Sequence, residues 1–139
     1  MTIAEVATRM LESSPRDVDV DRELLVGCID ACFDSGEACT QCADDCLGEE
    51  GRVDELVRCI RLDLDCADVC LTTGRVLSRQ TAYDARLRRA LLEACAVACA
   101  GCGDECERHG EHGMEHCRVC AEQCRRCEQA CRDLLAAMA

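Results

Sequence analysis

The sequence predicts an all-α protein: an antiparallel up-down-up-down four-helix bundle with a short extra N-terminal helix. Four segments of roughly 25 to 30 residues, rich in Ala, Leu, Glu, Arg and Cys, are each long enough for a helix of about seven turns. Short turns separate these segments, and short connections place consecutive helices antiparallel. No segment has the pattern of a strand.

The breaks between the predicted elements are few. Pro15, the only proline, ends a short helix over about residues 2 to 12. The later turns are predicted at 48–51, 78–81 and 110–113. We therefore expect one domain over residues 1–139, with the short N-terminal helix in 1–14 and the four-helix bundle in 17–137.

Composition restricts the functions that the chain can have. Its formal charge of −12 repels nucleic acid, and it has no basic patch of the kind that DNA or RNA binding needs. No stretch approaches the roughly 20 apolar residues of a membrane span. Residues 1–10 lack the basic region and apolar run of an export signal. We therefore expect a cytosolic protein, whose reducing surroundings keep thiols free.

Cysteine accounts for 17 of the 139 residues, far above ordinary usage. Within each long segment the cysteines recur at intervals of 3, 4 or 7 residues, which places them within about 80° of one another on a helix. Each helix therefore carries one narrow stripe of sulfur that faces the bundle axis. The cysteines are Cys28, Cys32, Cys39, Cys42, Cys46, Cys59, Cys66, Cys70, Cys95, Cys99, Cys102, Cys106, Cys117, Cys120, Cys124, Cys127 and Cys131.

Two polar residues occupy positions on the same stripes. Ser35 fills a slot in the first long segment, where a small side chain with a hydrogen bond to the backbone would fit the core. Asp63 fills a slot in the second segment, and a carboxylate that faces a core is costly unless it is paired or binds metal. Asp63 is therefore either a ligand at the edge of a metal site or the partner of an arginine.

Metal binding best explains so many inward-facing thiols. Cysteines one helical turn apart have Cβ atoms about 6 Å apart, whereas a disulfide needs roughly 3.5–4.5 Å. Soft thiolates favour Cu(I), Zn(II) or iron–sulfur clusters, and no cysteine here precedes the proline typical of ferredoxin motifs. Structural zinc needs separate tetrahedra of four ligands, whereas a continuous ladder of bridging thiolates suits many low-coordinate Cu(I) ions.

Other functions stay open at this point. A zinc or mixed-metal buffer of the metallothionein type would use the same thiols, and a purely structural bundle would bind no metal. A thiol redox enzyme would need one or two cysteines of strongly lowered pKa. The Cys-x-x-Cys spacings in this chain follow no strand, unlike those of thioredoxin-like enzymes. Because no nucleophile triad, phosphate loop or cofactor motif occurs in a suitable context, we expect no enzymatic activity.

The two ends of the bundle are predicted to differ. The cysteines lie late in the first and third segments and early in the second and fourth, so they gather toward one end. That end also carries His109, His112, His116 and Met114, whose side chains can bind copper, and we interpret it as the mouth through which copper passes. Solvated turn histidines are the alternative. The opposite end is expected to hold an apolar plug of Leu24, Leu25, Leu77, Leu87, Leu91, Leu134, Leu135 and Met138.

The Cys-x-x-x-Cys pairs, such as Cys28/Cys32 and Cys127/Cys131, give the chain a family resemblance. Over about residues 17 to 137 it resembles the bacterial four-helix-bundle copper storage proteins, whose members bind many Cu(I) ions inside the bundle. Without an export signal it is similar to their cytosolic branch, which implies a homotetramer. Asp63 and Ser35 depart from the family pattern.

The residues and the resemblance together predict a store that sequesters and detoxifies copper stoichiometrically. We expect multiple Cu(I) ions as the cargo, a cytosolic copper chaperone as the donor, and no nucleic-acid or membrane partner.

Overall fold

The computed structural model describes residues 1–138, and no strand occurs in that range. Its helices are α1 (Ile3–Glu12), α2 (Arg22–Leu47), α3 (Val57–Leu77), α4 (Ala85–Glu111) and α5 (Glu115–Met138), with a short 3-10 helix at Val53–Leu56. The predicted all-α fold with a short N-terminal helix is therefore confirmed. None of the helices in the described range combines the length and the apolar character that crossing a membrane requires.

Side-chain caps fix where several helices begin. The Thr2 hydroxyl accepts a hydrogen bond from the Glu5 backbone N–H, and the Glu5 carboxylate accepts one from the Thr2 N–H, which starts α1 with a capping box. Asp21 and Asp84 cap α2 and α4 through their carboxylates. The turn predicted at 48–51 is longer in the structure, because the chain runs on through the 3-10 helix before α3 begins.

Contacts between sulfur atoms reveal the direction of neighbouring helices. Along α2 and α5, Cys28 lies beside Cys131 at an Sγ–Sγ distance of 3.8 Å, and Cys42 lies beside Cys117 at 3.7 Å. Residue numbers therefore rise along one helix as they fall along the other, and the same holds for α3 and α4. Each helix packs on two neighbours in the cyclic order α2, α3, α4, α5, which makes an up-down-up-down bundle. Helix α1 packs outside it on α2.

Glycines bring two helix pairs close together. A Cβ on Gly74 of α3 would lie 3.0 Å from Cε2 of Phe33 on α2. A Cβ on Gly110, near the end of α4, would lie 3.1 Å from Cα of Arg118 on α5. A larger side chain at either position would push the two helices apart. These glycines therefore help to set the distance between neighbouring helices.

The two ends of the bundle differ as predicted. We call the end with connections 48–56 and 112–114 the cysteine end, and the end with connection 78–84 the leucine end. The leucine end has an apolar core in which each member is at most 1% exposed: Leu25, Leu77, Leu92 and Leu134. Four other expected members of the plug are only partly buried: Leu24, Leu91, Leu135 and Met138.

Leu87 does not belong to the plug, because it is 49% exposed. Arg88 takes its place and is 1% exposed. Position 88 continues the register of Leu92 and the α4 cysteines, so the helix turns the arginine inward and the leucine outward. The Arg88 guanidinium lies 3.6 Å from the centroid of the Tyr83 ring and donates to the Arg79 carbonyl at 2.6 Å. Packing register therefore overrides hydrophobicity at this site.

Candidate metal centre

The cysteine stripes of α2 to α5 all face the bundle axis. Each of the 17 cysteines is a free thiol and is at most 1% exposed. Steps of three and four residues keep a stripe on one side of a helix over several turns, and the square packing turns all four stripes toward a common centre. The structure therefore brings together every cysteine that the sequence singled out.

The thiols form a continuous column of sulfur. The closest Sγ atoms lie 3.6–3.9 Å apart, both within helices and between them. A disulfide has sulfurs about 2 Å apart, so these atoms are unbonded neighbours. Two sulfurs that are bound to the same metal ion in a tetrahedral arrangement, each at about 2.3 Å from it, lie about 3.8 Å apart. Neighbouring sulfurs in the column are thus close enough to share a metal ion.

Sets of four ligand atoms lie within 4.8 Å of one another along the column. Five of these sets, from the leucine end to the cysteine end, are Cys32–Cys95–Cys127–Cys131, Cys70–Cys95–Cys99–Cys127, Cys39–Cys102–Cys120–Cys124, Cys42–Cys59–Asp63–Cys106 and Cys42–Cys46–Cys59–Cys117. The first two sets overlap at Cys95 and Cys127, and the last two overlap at Cys42 and Cys59. The overlap suits sulfurs that bridge two ions.

Asp63 lies inside the column and is fully buried. Its Oδ1 accepts hydrogen bonds from the thiols of Cys102 at 3.1 Å, Cys120 at 3.3 Å and Cys106 at 3.4 Å. The structure therefore surrounds Asp63 with thiols and does not pair it with an arginine. Burial, aided by negative charge on Cys42, raises the pKa of Asp63 to about 8, so the carboxyl is mostly protonated at neutral pH without metal.

Ser35 fills its slot among the sulfurs. Its Oγ lies 3.6 Å from Sγ of Cys70, 3.9 Å from Cys124 and 4.0 Å from Cys39. Ser35 is the small core residue that we expected, but its partners are thiols, whereas a hydrogen bond to the backbone was predicted. The reason is that neighbouring helices bring sulfur within reach of the hydroxyl from three sides.

Contact between thiols lowers the pKa of some cysteines and raises the pKa of others. The pKa of Cys106 is lowered, chiefly through its hydrogen bond with Cys102. The pKa of Cys120 is raised, chiefly through its hydrogen bond with Cys102. Adjacent thiolates repel one another, so only part of the column can ionise at once. The metal-free column therefore retains protons that an incoming cation must displace.

His116 is the histidine that the structure places against sulfur. Its Nδ1 lies 3.4 Å from Sγ of Cys42 and 3.5 Å from Sγ of Cys117, and its Nε2 lies 3.0 Å from Oε1 of Glu49. Burial alone would lower the pKa of His116, but hydrogen bonds to Cys42 and Glu49 outweigh it and the pKa is raised. A carboxylate behind the imidazole orients the ring so that Nδ1 faces the thiols.

The other candidate ligands at the cysteine end are arranged differently. His109 has a side chain 13% exposed, and its buried Nε2 lacks a hydrogen-bond partner among the described residues, with Glu105 at 3.6 Å. Met114 is 3% exposed. His112 caps the C-terminus of α4 and is exposed, as the alternative of a solvated turn histidine supposed.

Two buried residues at the cysteine end were not among the residues that we predicted to lie in the core. Leu56 is fully buried, and Glu105 is 6% exposed with an ion pair to Arg108. Leu56 lies three residues before Cys59 and continues the α3 register, so that register could have identified it. Glu105 flanks the α4 stripe, and no sequence signal marks it as buried.

Comparisons with known proteins agree with this geometry. The structure of the copper storage protein Ccsp from Streptomyces lividans loaded with 10 copper equivalents is 55% identical, with a TM-score of 0.90, covering 94% of this chain and 98% of that one. The Cu(I)-bound copper storage protein BsCsp3 is 37% identical with a TM-score of 0.67, covering 78% of this chain and 94% of that one. An uncharacterized cysteine-rich protein of Bacillus subtilis, YhjQ, is 40% identical over 82 residues, 59% of this chain and 71% of the relative.

The match extends to a family description. The family model named Csp, copper storage protein, matches residues 21–136, which span α2 to α5 and contain every cysteine. The sulfur column and the bundle that encloses it are thus the matched region. This chain belongs to the copper storage protein family.

Proposed function

We propose that this chain binds and stores many Cu(I) ions through the thiolates that line its bundle axis. The observation that carries the proposal is the column of 17 buried free thiols along the bundle axis, in which the closest sulfurs lie 3.6–3.9 Å apart. Thiolates are soft ligands that select Cu(I), and bridging sulfurs allow a capacity on the order of one ion per thiolate. Two solved relatives are described as copper-loaded, which supports the same cargo here.

Zinc fits the column less well. A structural zinc ion closes a tetrahedron of four ligands, so 17 thiols could fill about four separate sites. The four-ligand sets in the column instead share Cys95, Cys127, Cys42 and Cys59. Cysteines that belong to two sets reduce the number of separate zinc tetrahedra that can form. The same cysteines can bridge neighbouring Cu(I) ions. A metallothionein-type buffer therefore stays second to a copper store.

The proposed activity is sequestration without catalytic turnover. A thiol redox enzyme exposes its attacking sulfur to a substrate, whereas every cysteine here is at most 1% exposed. Each Cu(I) that is bound displaces thiol protons, so loading releases acid and crosslinks the four helices. Detoxification follows because copper held in the core is withdrawn from solution.

We propose a ligand set of the 17 cysteines together with Asp63 and the residues of the cysteine end. Asp63 replaces one thiolate within the column and His116 presents Nδ1 to two sulfurs. His109 offers a buried ring nitrogen, and Met114 and His112 lie in or beside the α4–α5 connection. These three are peripheral ligands in the proposal.

We further propose the cellular setting that the resemblance implied. The chain acts in the cytosol as a single domain and as a homotetramer, receives Cu(I) from a cytosolic copper chaperone, and binds neither nucleic acid nor membrane. A solved relative from Streptomyces lividans that is 59% identical is described as a cytosolic copper storage protein, which supports the compartment.

A metal competition tests the choice of cargo. Reduced protein is first loaded with Zn(II) under nitrogen, and limiting Cu(I) is then added before the bound metals are measured by mass spectrometry. We expect each addition of Cu(I) to be retained while Zn(II) is displaced into solution, because thiolates bind Cu(I) far more tightly. Retention of zinc with copper left in solution would contradict the copper assignment.

A further inference from the structure

The chain between α1 and α2 lies at the leucine end of the bundle. Residues 13–21 contain no helix, and together with α1 they form what we call the N-terminal strap, residues 1–21. Val18 and Val20 are partly buried against the core, and Leu11 of α1 is 6% exposed. These side chains anchor the strap through apolar contact.

One hydrogen bond joins the middle of the strap to the bundle. The hydroxyl of Tyr83, in connection 78–84, donates to Oδ1 of Asp19 at 2.8 Å. Within the part of the chain that the structure describes, no other hydrogen bond connects residues 15–20 with α2 to α5 or their connections. Asp19 is exposed and Tyr83 is only partly buried, so water can compete for this bond. The polar attachment of the strap is therefore single and reversible.

Helix α1 fits its site loosely. A cavity of about 430 Å³ remains between α1, the neighbouring face of α2 and connection 78–84, with Val6, Met10, Phe33 and Gln80 in its lining. Val6 and Met10 on α1 stay 40% and 66% exposed. A helix of ten residues is marginal in water by itself, so α1 keeps its helical hydrogen bonds only while it is docked.

Connection 78–84 is the rigid half of the attachment. The guanidinium of Arg88 lies 3.6 Å from the centroid of the Tyr83 ring, and it donates to the Arg79 carbonyl at 2.6 Å and to Oε1 of Gln80 at 3.0 Å. Ala82 has a φ of 55°, in the left-handed region that a non-glycine residue keeps only where its surroundings impose it. The phenol is thus held in place, whereas its partner carboxylate belongs to a segment without helical structure.

The bundle has a core of its own at this end. Leu25, Leu77, Leu92 and Leu134 come one from each of α2 to α5, and each is at most 1% exposed. All four belong to the same buried cluster as the cysteines. Departure of the strap therefore removes none of the four leucines that close the bundle axis.

We propose that the N-terminal strap is a releasable cover of the leucine end, fastened by a clasp between Asp19 and Tyr83. When the clasp opens, the strap leaves α2 as one unit and α1 melts, while α2 to α5 and the sulfur column stay folded. Opening uncovers Ile29 and Phe33, on the face of α2 that α1 packs against. This movement is separate from copper storage, because the strap holds no candidate ligand.

Hydrogen exchange in α1 tests the clasp. Full-length, reduced, metal-free protein is exchanged into deuterated water, and deuterium uptake by α1 peptides is followed by mass spectrometry. Asp19→Ala removes the acceptor, and Tyr83→Phe removes only the hydroxyl and leaves the ring on Arg88. Asp17→Ala is the matched control, because Asp17 is an exposed carboxylate of the strap that takes no part in the bond to Tyr83.

We expect Asp19→Ala and Tyr83→Phe each to speed exchange of the α1 amides by about fivefold, since loss of a hydrogen bond to a charged group makes opening more frequent. Asp17→Ala should stay within about twofold of the unmodified protein. Exchange in α3 to α5 should be the same in all variants. Equal α1 rates in the three variants would overturn the clasp, and acceleration of α3 to α5 together with α1 would overturn release of the strap as a separate unit.

The double variant Asp19→Ala/Tyr83→Phe gives an independent readout. If one hydrogen bond between these side chains fastens the strap, the double variant should exchange its α1 amides about as fast as either single variant. Effects that multiply, to about 25-fold, would overturn the clasp, because the two side chains would then act independently.

Discussion

The two halves of the bundle share one helical lattice and differ in what fills it. Toward the cysteine end, the positions that face the axis hold thiols, with Asp63 and Ser35 in two of the slots. Toward the leucine end, the same registers continue into four large leucines and then Arg88. The same four helices run through both halves, so the side chains that face the axis distinguish the roles of the two halves.

The difference teaches that stability and capacity reside in different parts of one core. A fully buried leucine contributes about 1.5–3 kcal/mol, whereas a thiol is smaller and leaves space that only an ion can use fully. The leucine half therefore holds the apo-protein together while the cysteine half stays available for metal. Substitutions in each half should change one property and spare the other.

The largest effect is expected from the one carboxyl in the cysteine half. The pKa of Asp63 is raised to about 8 in the folded protein, from an ordinary value near 3.8. The folded state therefore holds a proton that the unfolded state has lost between these two values, and stability falls as pH rises through this window. Asp63→Asn should remove this fall, which amounts to about 6 kcal/mol at most.

Urea denaturation of reduced, metal-free protein between pH 4 and pH 9 measures this pH dependence. Asp65→Asn, an exposed change on the same helix, is the control and should keep the slope of the unmodified protein. Identical pH profiles for the two variants would show that Asp63 is ionised in the folded state.

The next effect concerns the leucine half. Leu92→Ala should lower the free energy of unfolding of the apo-protein by about 2–5 kcal/mol, because it leaves a cavity in a fully buried core. The number of Cu(I) ions bound should not change. Leu87→Ala, at a position 49% exposed, should cost less than about 1 kcal/mol. A larger loss for Leu87→Ala than for Leu92→Ala would reverse the packing register described for α4.

Replacement of a cysteine in the column should lower the copper capacity and change the stability of the apo-protein little. Cys127→Ala removes a sulfur that lies 3.8 Å from both Cys32 and Cys95. We expect a loss of about 1 kcal/mol in apo stability, since little volume is removed, and a loss of roughly one to two Cu(I) ions from the capacity. Unchanged capacity in a chelator competition would show that metal does not use this part of the column.

The smallest effect is expected at Ser35, and it tests whether this position only fills space or can hold a metal ligand. Ser35→Cys places a thiol in a slot already within 4.0 Å of three sulfurs. The change should alter apo stability by less than about 1 kcal/mol and raise the capacity by about one Cu(I) ion. Ser35→Ala is the control and should leave the capacity as it is. A capacity that is equal in the two variants would mean that the lattice is already saturated with metal.

The comparison of the halves also explains what the sequence could predict. Cysteine intervals of three and four residues determine the face of each helix, so the bundle and its inward stripes follow directly from spacing. On α4, the same register continues from Cys95 toward the N-terminus of the helix, first to Leu92 and then to Arg88. Hydrophobicity alone led us to expect Leu87 and Leu91 in the apolar plug. The expectation was wrong for Leu87, because the register of the helix decides which positions face the core.

The candidate site shows the limit of sequence reasoning more clearly. Spacing on one helix says nothing of how a connection folds back, so His112 and His116 looked equivalent. The structure leaves His112 exposed and turns His116 against two thiols, with Glu49 from a different connection behind it. Burial of Leu56 and Met114 at the cysteine end likewise depends on the path of the connections.

The most direct test of the central claim is a count of tightly bound Cu(I) per chain. Reduced apo-protein is titrated with Cu(I) under nitrogen against a competing chelator, and bound ions are quantified at each step. If the column of thiolates is a copper store, more than about ten ions should be bound tightly, as bridging sulfurs allow. A plateau at one or two ions would contradict the account, because the sulfur column would then serve as a zinc or redox device.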